Sequence, residues 1–404
     1  MKAVVSTKWL RKVVASFPKA TKLYLAPVSL RAKGEEIEFV ILHNNGIMKM
    51  RVPAQVEEEG MALPDPVQFR TLVKNAQDIE TLTLERKGES GRLKISFQTG
   101  DGKNVEYAIY CYPDEQEPEV ALDGVEYDTT IAELRAECAE QIWKTMKELK
   151  PFRGDALSGY SDFFIDLDEN GNPIMFVTSG AYMVLKRLPN EVAEAKLPLR
   201  LPGNLTDMLP QIFEDIALFG KRDEDHMRMY LAGLATELSF TVSSRTLPLP
   251  DFLKHDLSRL DTFPGFTYLD RNTLLKALQI AKVPKKSRLG VDRVARFSLR
   301  SDYSLLEIFS RDGDYTPEAS LTLPPSDTAA SKIALFNCDL LHSLVSALPL
   351  VEFRFADATF APNAAVLYAR DPSKSVVAVL ASLDPQYFEE LFNEDTEVSQ
   401  RVSA

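Results

Sequence analysis

The sequence is poor in the residues that build metal sites and disulfides. It has 3 cysteines and 4 histidines in 404 residues. The three cysteines (Cys111, Cys138 and Cys338) are far apart in sequence, which predicts reduced thiols packed as small hydrophobic groups. No histidine has another ligand at metal-binding spacing, no apolar run could span a bilayer, and the N-terminus lacks a signal peptide. We therefore expect a cytoplasmic protein with no metal and no membrane partner.

Motifs for catalysis and nucleotide binding are also missing. No glycine-rich loop is followed by Lys-Ser or Lys-Thr, and no G-x-G-x-x-G follows a strand. The Ser-Gly pairs at 158–159 and 179–180 lack the flanking glycine of a nucleophile elbow. Residues 166–171 match the start of a calcium loop, but Val177 stands where an EF-hand needs glutamate, so we interpret them as a hairpin turn. The sequence predicts neither an enzyme nor a bound cofactor.

The chain is acidic and long enough for more than one domain. Its formal net charge is −12 at pH 7. Such a charge opposes nucleic-acid binding over the whole surface, so contact with DNA would require segregated basic patches. A length of 404 residues suits two or three domains.

The order of predicted elements recurs with a period of roughly 135 residues, which is the size of a domain rather than of a solenoid repeat. Residues 7–17 predict an amphipathic helix, and strands and a second helix capped by Asp65 follow. The order recurs with a helix over 129–150, and again with a helix over 271–282 and a later one capped by Asn337. We expect an α+β fold in which each repeat packs two helices on antiparallel sheets. The predicted domains are residues 1–122, 126–253 and 254–383, with an extension at 384–404.

Several stretches resemble the bacterial β sliding clamp, the processivity subunit of DNA polymerase III. They are RVPAQVEEEGMALPDPVQF in the first repeat, LSG followed by VTSG in the second, and FNCDLLHSLVSAL with VVAVLASL in the third. The resemblance covers residues 1 to about 383. In that family each chain has three similar domains, and two chains close head to tail into a ring around duplex DNA. The resemblance therefore implies a homodimer, double-stranded DNA, a DNA polymerase and an ATP-dependent clamp loader as partners, and a nucleoid-associated location.

The sequence departs from the family at two binding surfaces. Ser179, Ala181 and Tyr182 replace the family's Asp, His and Arg. Near the end, Leu380, Ala381 and Ser382 replace Pro, Met and Arg. Asp155 and Ala156 replace an aromatic pair that faces DNA in the family. We expect these changes to alter which partner peptides fit.

The resemblance also implies the residues of two sites. The partner-peptide pocket is expected at Leu157, Thr178, Gly180, Tyr182, Met183, Asn337, Val377, Val379, Leu380 and Ala381, although most of these could instead be core residues. Ring closure is expected to use Tyr107 and Ile109 on one edge strand and Val283 and Pro284 on the partner side.

Basic residues recur on helix faces opposite the apolar stripes, at similar places in the repeats. They are Lys8, Arg11, Lys12, Arg70, Lys74, Lys144, Lys147, Arg271 and Lys276. We predict that they face DNA, and the alternative is a set of ordinary solvated helix faces. The alternative function is a clamp-like interaction hub that does not encircle DNA. The extension at 384–404 either forms a short surface helix or occupies the pocket of its own chain.

Overall fold

The chain is described by a computed structural model that covers residues 1–18, 28–43, 46–88, 91–116, 129–154, 160–208, 214–222, 224–279, 293–310, 317–327, 332–357 and 365–384. The chain divides into two compact units, Met1–Lys147 with Pro189–Leu247, and Glu148–Leu188 with Pro248–Ala404. These units do not follow the predicted domain boundaries, because each takes part of residues 126–253. The division into domains at 1–122, 126–253 and 254–383 stays a prediction, and most of the extension lies outside the described residues.

The described elements repeat three times in the same order. The first repeat contains β1 (Lys2–Ser6), α1 (Thr7–Ala15), β2 (Val28–Lys33), β3 (Glu36–His43), β4 (Gly46–Glu58), β5 (Gly60–Ala62), α2 (Pro66–Asn75), β6 (Thr81–Glu85), β7 (Arg92–Gln98) and β8 (Asn104–Tyr110). The second contains β9 (Thr129–Leu134), α3 (Ala136–Leu149), β10 (Phe163–Leu167), β11 (Pro173–Thr178), β12 (Tyr182–Arg187), β13 (Leu199–Leu201), α4 (Leu205–Met208), β14 (Ile216–Arg222), β15 (His226–Gly233) and β16 (Thr236–Ser243).

A further helix, α5 (Asp251–Ser258), follows the second repeat and was not predicted from the sequence. The third repeat contains β17 (Gly265–Thr267), α6 (Arg271–Gln279), β18 (Arg293–Leu299), β19 (Ser304–Ser310), β20 (Ala319–Leu323), β21 (Lys332–Asn337), α7 (Cys338–Ala347), β22 (Glu352–Asp357), β23 (Ala365–Arg370) and β24 (Val376–Ala381). In the described residues, each repeat therefore has the order strand, helix, four strands, helix, three strands. This is the α+β architecture with repeated helices and antiparallel sheets that the sequence predicts.

The first strand of each repeat pairs with the sixth, which closes the repeat on itself. The pairs β1 with β6, β9 with β14 and β17 with β22 are all antiparallel. These first strands were missed in the sequence, and the helix predicted over 129–150 is wrong in its first part. Residues Thr129–Leu134 form β9 because β-branched Thr129, Thr130 and Ile131 favour a strand and β14 offers a partner. The helix begins only at Ala136.

The first unit is built on one long antiparallel sheet. Its strands lie in the order β8-β7-β6-β1-β4-β16-β15-β14-β9, and β2, β3 and β5 extend it beside β4. Burial alternates along β6 and β7, so one face carries the core and the other faces outward. Helices α1 and α2 pack against each other. They bury Leu10, Val13, Phe69 and Val73 completely.

In the second unit, one sheet runs β10-β11-β12-β24-β23-β22-β17 and another runs β20-β19-β18-β21. Its core is aromatic: Phe297 and Phe355 have ring centroids 5.3 Å apart, and Phe266, Phe336 and Phe353 surround them. Strands β11, β23 and β24 are buried along nearly their whole length rather than on alternate residues. Both faces of this sheet are therefore covered.

Local capping signals in the sequence are confirmed. Asp65 Oδ1 accepts hydrogen bonds from the amides of Val67 (3.0 Å) and Gln68 (2.8 Å), and Pro66 is the first residue of α2. Asn337 caps α7 in the same way. All three cysteines are buried and free, which agrees with their predicted packing as small hydrophobic groups, and their reduced state stays a prediction. No helix in the described ranges is both long and apolar enough to cross a membrane.

Candidate functional site

Five residues of the predicted pocket lie on one face of one sheet. Thr178 in β11 is opposite Met183 in β12, and Met183 is opposite Val379 in β24. Val377 and Ala381 lie two residues from Val379 along β24, so their side chains point to the same face. Thr178, Val377 and Val379 are 6%, 9% and 6% exposed. The strands that join the second and third repeats therefore supply an apolar floor, and Ala381 lies at its exposed end.

Two other predicted pocket residues point the other way. Tyr182 in β12 is opposite Leu380 in β24, and each is the neighbour in sequence of Met183 or Val379. Strand alternation therefore places both side chains on the opposite face. Leu380 is 2% exposed and belongs to the core. Burial raises the pKa of the half-buried Tyr182, and a hydrogen bond with Ser179 opposes that rise.

The turn from β11 to β12 is shaped by Thr178 and Gly180. Thr178 Oγ1 accepts a hydrogen bond from the Gly180 amide (3.0 Å) and donates one to the Tyr182 carbonyl (2.9 Å). Gly180 has φ of +88°, a left-handed conformation that favours glycine. A side chain there would also meet the ring of Tyr160. Both residues therefore set the edge of the pocket floor through backbone geometry.

Asn337, another predicted pocket residue, is not brought to this face. Asn337 ends β21, which belongs to the sheet β20-β19-β18-β21, and its Oδ1 accepts from the amides of Asp339 (3.0 Å) and Leu340 (3.1 Å). Its amide side chain is thus used as the cap of α7. Leu157 lies outside the described residues. As a whole, the pocket stays a prediction.

Most of the predicted DNA-facing lysines are exposed. These are Lys8, Lys74, Lys144, Lys147 and Lys276. Arg11 and Lys12 are half-buried, and the Lys12 ammonium lies 4.5 Å from the centre of the Trp9 ring. Lys144 forms an ion pair with Glu140 at 2.6 Å, which partly neutralises it. The Lys147 ammonium lies 3.5 Å from the centre of the Trp143 ring. The exposed lysines present positive charge on α1, α2, α3 and α6.

Two arginines of the predicted DNA-facing set have a second task within their repeat. Arg70 on α2 donates to the carbonyls of Val14 (3.3 Å), Phe17 and Pro18 (2.9 Å), at the end of α1. Arg271 on α6 does the same for Val345 (2.8 Å) and Ser346 at the end of α7. Each guanidinium satisfies carbonyls that a helix C-terminus leaves without partners. Sequence reasoning missed this role, because the accepting carbonyls are more than 50 residues away in both cases.

The predicted edge strand for ring closure is an edge in the structure. Strand β8 lies at the end of the first unit's sheet. Its Tyr107 is 50% exposed, whereas Ile109 is 5% exposed and packs inward. Beside it lies a pocket of about 460 Å³ between α2 and β8, lined by ten residues that include Val67, Leu72 and Tyr107. Val283 and Pro284 lie outside the described residues.

The calcium-like motif is a hairpin turn. Asp168 Oδ1 accepts hydrogen bonds from the amides of Asn170 (2.9 Å) and Asn172 (2.8 Å), so this carboxylate stabilises the turn. Asp166 accepts from the Leu249 amide and pairs with Lys254. Within the part of the chain that the structure describes, no group of three or more His, Cys, Asp or Glu side chains could hold a metal ion.

Comparison with known proteins agrees with this architecture. No protein-family model matches the chain, and no curated protein sequence matches it significantly. Among solved structures, Caulobacter crescentus pol III beta matches with a TM-score of 0.67 at 16% identity, over 95% of this chain and 100% of that chain. DNA polymerase III subunit beta from Borrelia burgdorferi, in complex with a natural product, matches with a TM-score of 0.66 at 10% identity, over 95% and 99%.

The chain has the β-clamp fold. A third similar structure is the Helicobacter pylori beta clamp bound to a DNA ligase peptide, with a TM-score of 0.62 at 12% identity, over 95% of this chain and 100% of that chain. The resemblance stated from the sequence is thus confirmed for the fold. Because identities are this low, the chemistry of each site has to be argued from the residues of this chain.

Proposed function

We propose that this protein is a DNA sliding clamp. Two copies close head to tail into a ring of six repeats around duplex DNA, and the ring tethers a DNA polymerase and other partners without chemistry of its own. The clamp fold over 95% of the chain supports this function. The observation that carries it is the pattern of strand pairing between successive repeats.

Successive repeats are joined by the same pair of strands each time. The fourth strand of the first repeat, β4, pairs with the last strand of the second, β16. The fourth strand of the second repeat, β12, pairs with the last strand of the third, β24. Both ladders are antiparallel and span five residue pairs. By the same rule, the fourth strand of the third repeat, β20, would pair with the last strand of the first, β8.

Strands β8 and β20 are the ones that this rule leaves without a partner. Each is at an end of its sheet, and their lengths of 7 and 5 residues allow a ladder of the same size as the other two. An exposed edge strand invites pairing with another chain. The pairing of β8 with β20 of a second copy, and the reverse, would complete a two-fold assembly in which both of these edges are paired. In this assembly the pocket beside Tyr107 lies at the seam and is open to side chains of the second copy.

The charge distribution suits a ring that moves along DNA. A sliding protein needs phosphate contacts that carry no sequence information. Exposed lysines on α1, α2, α3 and α6 can supply such contacts, since a long flexible side chain binds phosphate as a point charge. The net charge of −12 means that the rest of the surface is acidic, which disfavours DNA anywhere else. Retention is then topological, and tight intrinsic binding is not required.

The partners follow from this function. Polymerases and other proteins would insert short apolar peptides into the floor formed by Met183, Val377 and Val379. An ATP-dependent loader would open the ring, and the protein would be found with the nucleoid in the cytoplasm.

Topological binding is tested by loading the protein on nicked circular DNA, washing with concentrated salt and then cutting the circle. Retention on the circle with loss from the linear product is the expected result. Release by salt from both forms would refute encirclement and favour an interaction hub.

The seam is tested in parallel with Tyr107→Asp, which places a charge at the edge of β8. We expect sedimentation to show a shift from dimer to monomer, and we expect the variant protein no longer to be retained on circular DNA after the salt wash. The matched control is Tyr303→Asp, because Tyr303 is also exposed (39%) but lies in the turn between β18 and β19. A dimer that survives Tyr107→Asp unchanged contradicts this seam.

A further inference from the structure

The segment between the second and third repeats is packed like a core element. It contains α5 and a turn of 3-10 helix at Leu260–Thr262. Leu249, Leu253 and Leu260 in this segment are 1%, 2% and 3% exposed. Links between domains are usually polar and exposed, with few contacts. The burial of these three leucines therefore needs an explanation other than connection.

One side of the segment is fixed to the second repeat. Asp166, on β10, is 6% exposed, and its Oδ2 accepts a hydrogen bond from the Leu249 amide at 2.9 Å. The same oxygen pairs with the Lys254 ammonium at 3.1 Å. In the next turn, Glu169 accepts a hydrogen bond from the Ser258 hydroxyl at 2.8 Å. Because Asp166 is almost fully buried, losing its cation would leave a costly charge.

The other side is fixed to the third repeat. The hydroxyl of Tyr368, on β23, donates to the Asp256 carboxylate, and the Tyr368 ring stacks against Phe263 with centroids 6.0 Å apart. Burial, and then the hydrogen bond to Asp256, raise the pKa of Tyr368, so its hydroxyl stays a donor. Arg370, 5% exposed, pairs with Asp261 at 2.5 Å. Helix α5 is thus held by both repeats at once.

These anchors lie on the face of the sheet that carries the predicted pocket floor. Tyr368 is directly opposite Val379, and Val379 is directly opposite Met183. Adjacent strands are about 4.8 Å apart, so the backbone of Tyr368 lies about 10 Å from that of Met183. The segment around α5 therefore borders the floor rather than packing on the far side of the sheet.

We propose that the segment from Pro248 to Pro264 is a clasp that locks the second repeat to the third. The β12–β24 ladder of five residue pairs is one connection between these repeats, and the clasp adds a second across the same face. It holds β12 and β24 in a fixed register and shape. The locking of the two repeats does not depend on the proposed function. Only the role of β12 and β24 as the floor of a partner pocket rests on that function.

The clasp is tested by releasing each side alone and both together. Tyr368→Phe removes only the hydroxyl on the third repeat's side, and Lys254→Met removes the cation on the second repeat's side. Tyr303→Phe is the matched control, since it deletes an exposed phenolic hydroxyl in the same unit. Amide hydrogen exchange, read by mass spectrometry on the full chain, reports the opening of each strand.

Each release should speed exchange by about tenfold or more, the effect of losing one charge-assisted hydrogen bond. The faster exchange should extend over α5, β12 and β24 in both variants. In the double variant the fold-increase in exchange rate should be smaller than the product of the two single fold-increases. The reason is that, once one side of the clasp is released, the contacts of the other side contribute little to holding the repeats together. Tyr303→Phe should exchange like the unmodified protein.

Several results would overturn the clasp. Faster exchange confined to α5, with β12 and β24 unchanged, would make the segment a passive link. If the fold-increase of the double variant equals the product of the two single fold-increases, the two sides of the segment stabilise the protein independently and do not form one clasp. Should Tyr368→Phe fail to fold, Lys254→Met is tested alone, because a clasp requires that this variant speed exchange in β12 and β24 and not only in α5. The exchange pattern does not depend on DNA, so loss of topological retention by the unmodified protein would refute the proposed function and leave the clasp standing.

Discussion

Acidification should weaken the first unit through one buried histidine. His43 is the last residue of β3 and is opposite Gly46, which in turn is opposite Phe240 at the junction of the first two repeats. Its Nε2 is buried and has no hydrogen-bond partner among the described residues. Burial lowers the pKa of His43 from 6.5 to about 4, although the charge of Asp207 opposes this shift. The folded protein therefore strongly favours the neutral imidazole.

The sign and size of the effect follow from that shift. In the unfolded chain the imidazole gains its proton near pH 6.5, whereas in the folded chain it does so near pH 4. The unfolded state therefore binds the extra proton first, and stability is lost as the pH falls from 6.5 towards 4. Each pH unit in this window is worth about 1.4 kcal/mol. Between pH 7.5 and pH 5, His43 should lower the free energy of unfolding by about 2 kcal/mol.

Tryptophan fluorescence can follow this loss in the first unit alone. The chain has 2 tryptophans, and both Trp9 and Trp143 belong to that unit. Urea unfolding measures the free energy of unfolding at pH 7.5 and at pH 5. Its decrease between the two pH values should be about 2 kcal/mol smaller in His43→Gln than in the unmodified protein. The control is His226→Gln, because His226 is exposed in the same unit. Equal pH dependence in all three proteins would refute the reasoning.

Two further predictions concern stability of the first unit and use the same fluorescence assay. Gly46→Ala should cost about 1–3 kcal/mol, because a Cβ there would overlap the Ser239 carbonyl across the β4–β16 ladder. Gly100→Ala, at a site with open space, should cost much less, and equal costs would contradict the overlap. Arg70→Met should cost about 1–2 kcal/mol by removing the hydrogen bonds to the end of α1, whereas Lys74→Met on the same helix should leave stability nearly unchanged. Equal losses would mean that Arg70 does not stabilise α1.

Local signals in the sequence were sufficient to place the starts of α2 and α7 and to indicate that the order of elements repeats. Asp65 and Asn337 act on amides two and three residues away, so the sequence contains both partners of each contact. The number and spacing of the cysteines predict reduced thiols in the same way, and the burial of all three agrees with packing as small hydrophobic groups. The fold as a whole came from resemblance, because the pairing of β4 with β16 joins residues nearly 200 positions apart.

Contacts distant in sequence account for what could not be predicted. Helix α5 is short and begins at Asp251, directly after Pro250, without a side-chain cap, and its anchors Asp166 and Tyr368 are each more than 80 residues away. The capping role of Arg70 depends on the end of another helix. Leu380 was expected in the pocket because the family resemblance matches it to a pocket position, but a strand turns successive side chains to opposite faces and Leu380 lies opposite Tyr182.

The strand pairing gives a physical reason for assembly that does not depend on the identity of any site residue. Within the chain, two fourth strands find last strands of the following repeat, while β8 and β20 keep unpaired edges. In strand β8, Tyr107 and Tyr110 are each 50% exposed. Large aromatic side chains do not protect an edge strand against pairing in the way that charged side chains or proline do. In the proposed assembly a second copy would supply both missing partners at once, so one seam geometry would serve every junction. If so, the seam between chains differs in strength from the junction of the second and third repeats, because that junction has the clasp in addition to its ladder. We expect a ring built in this way to open between chains before it yields at the clasped junction.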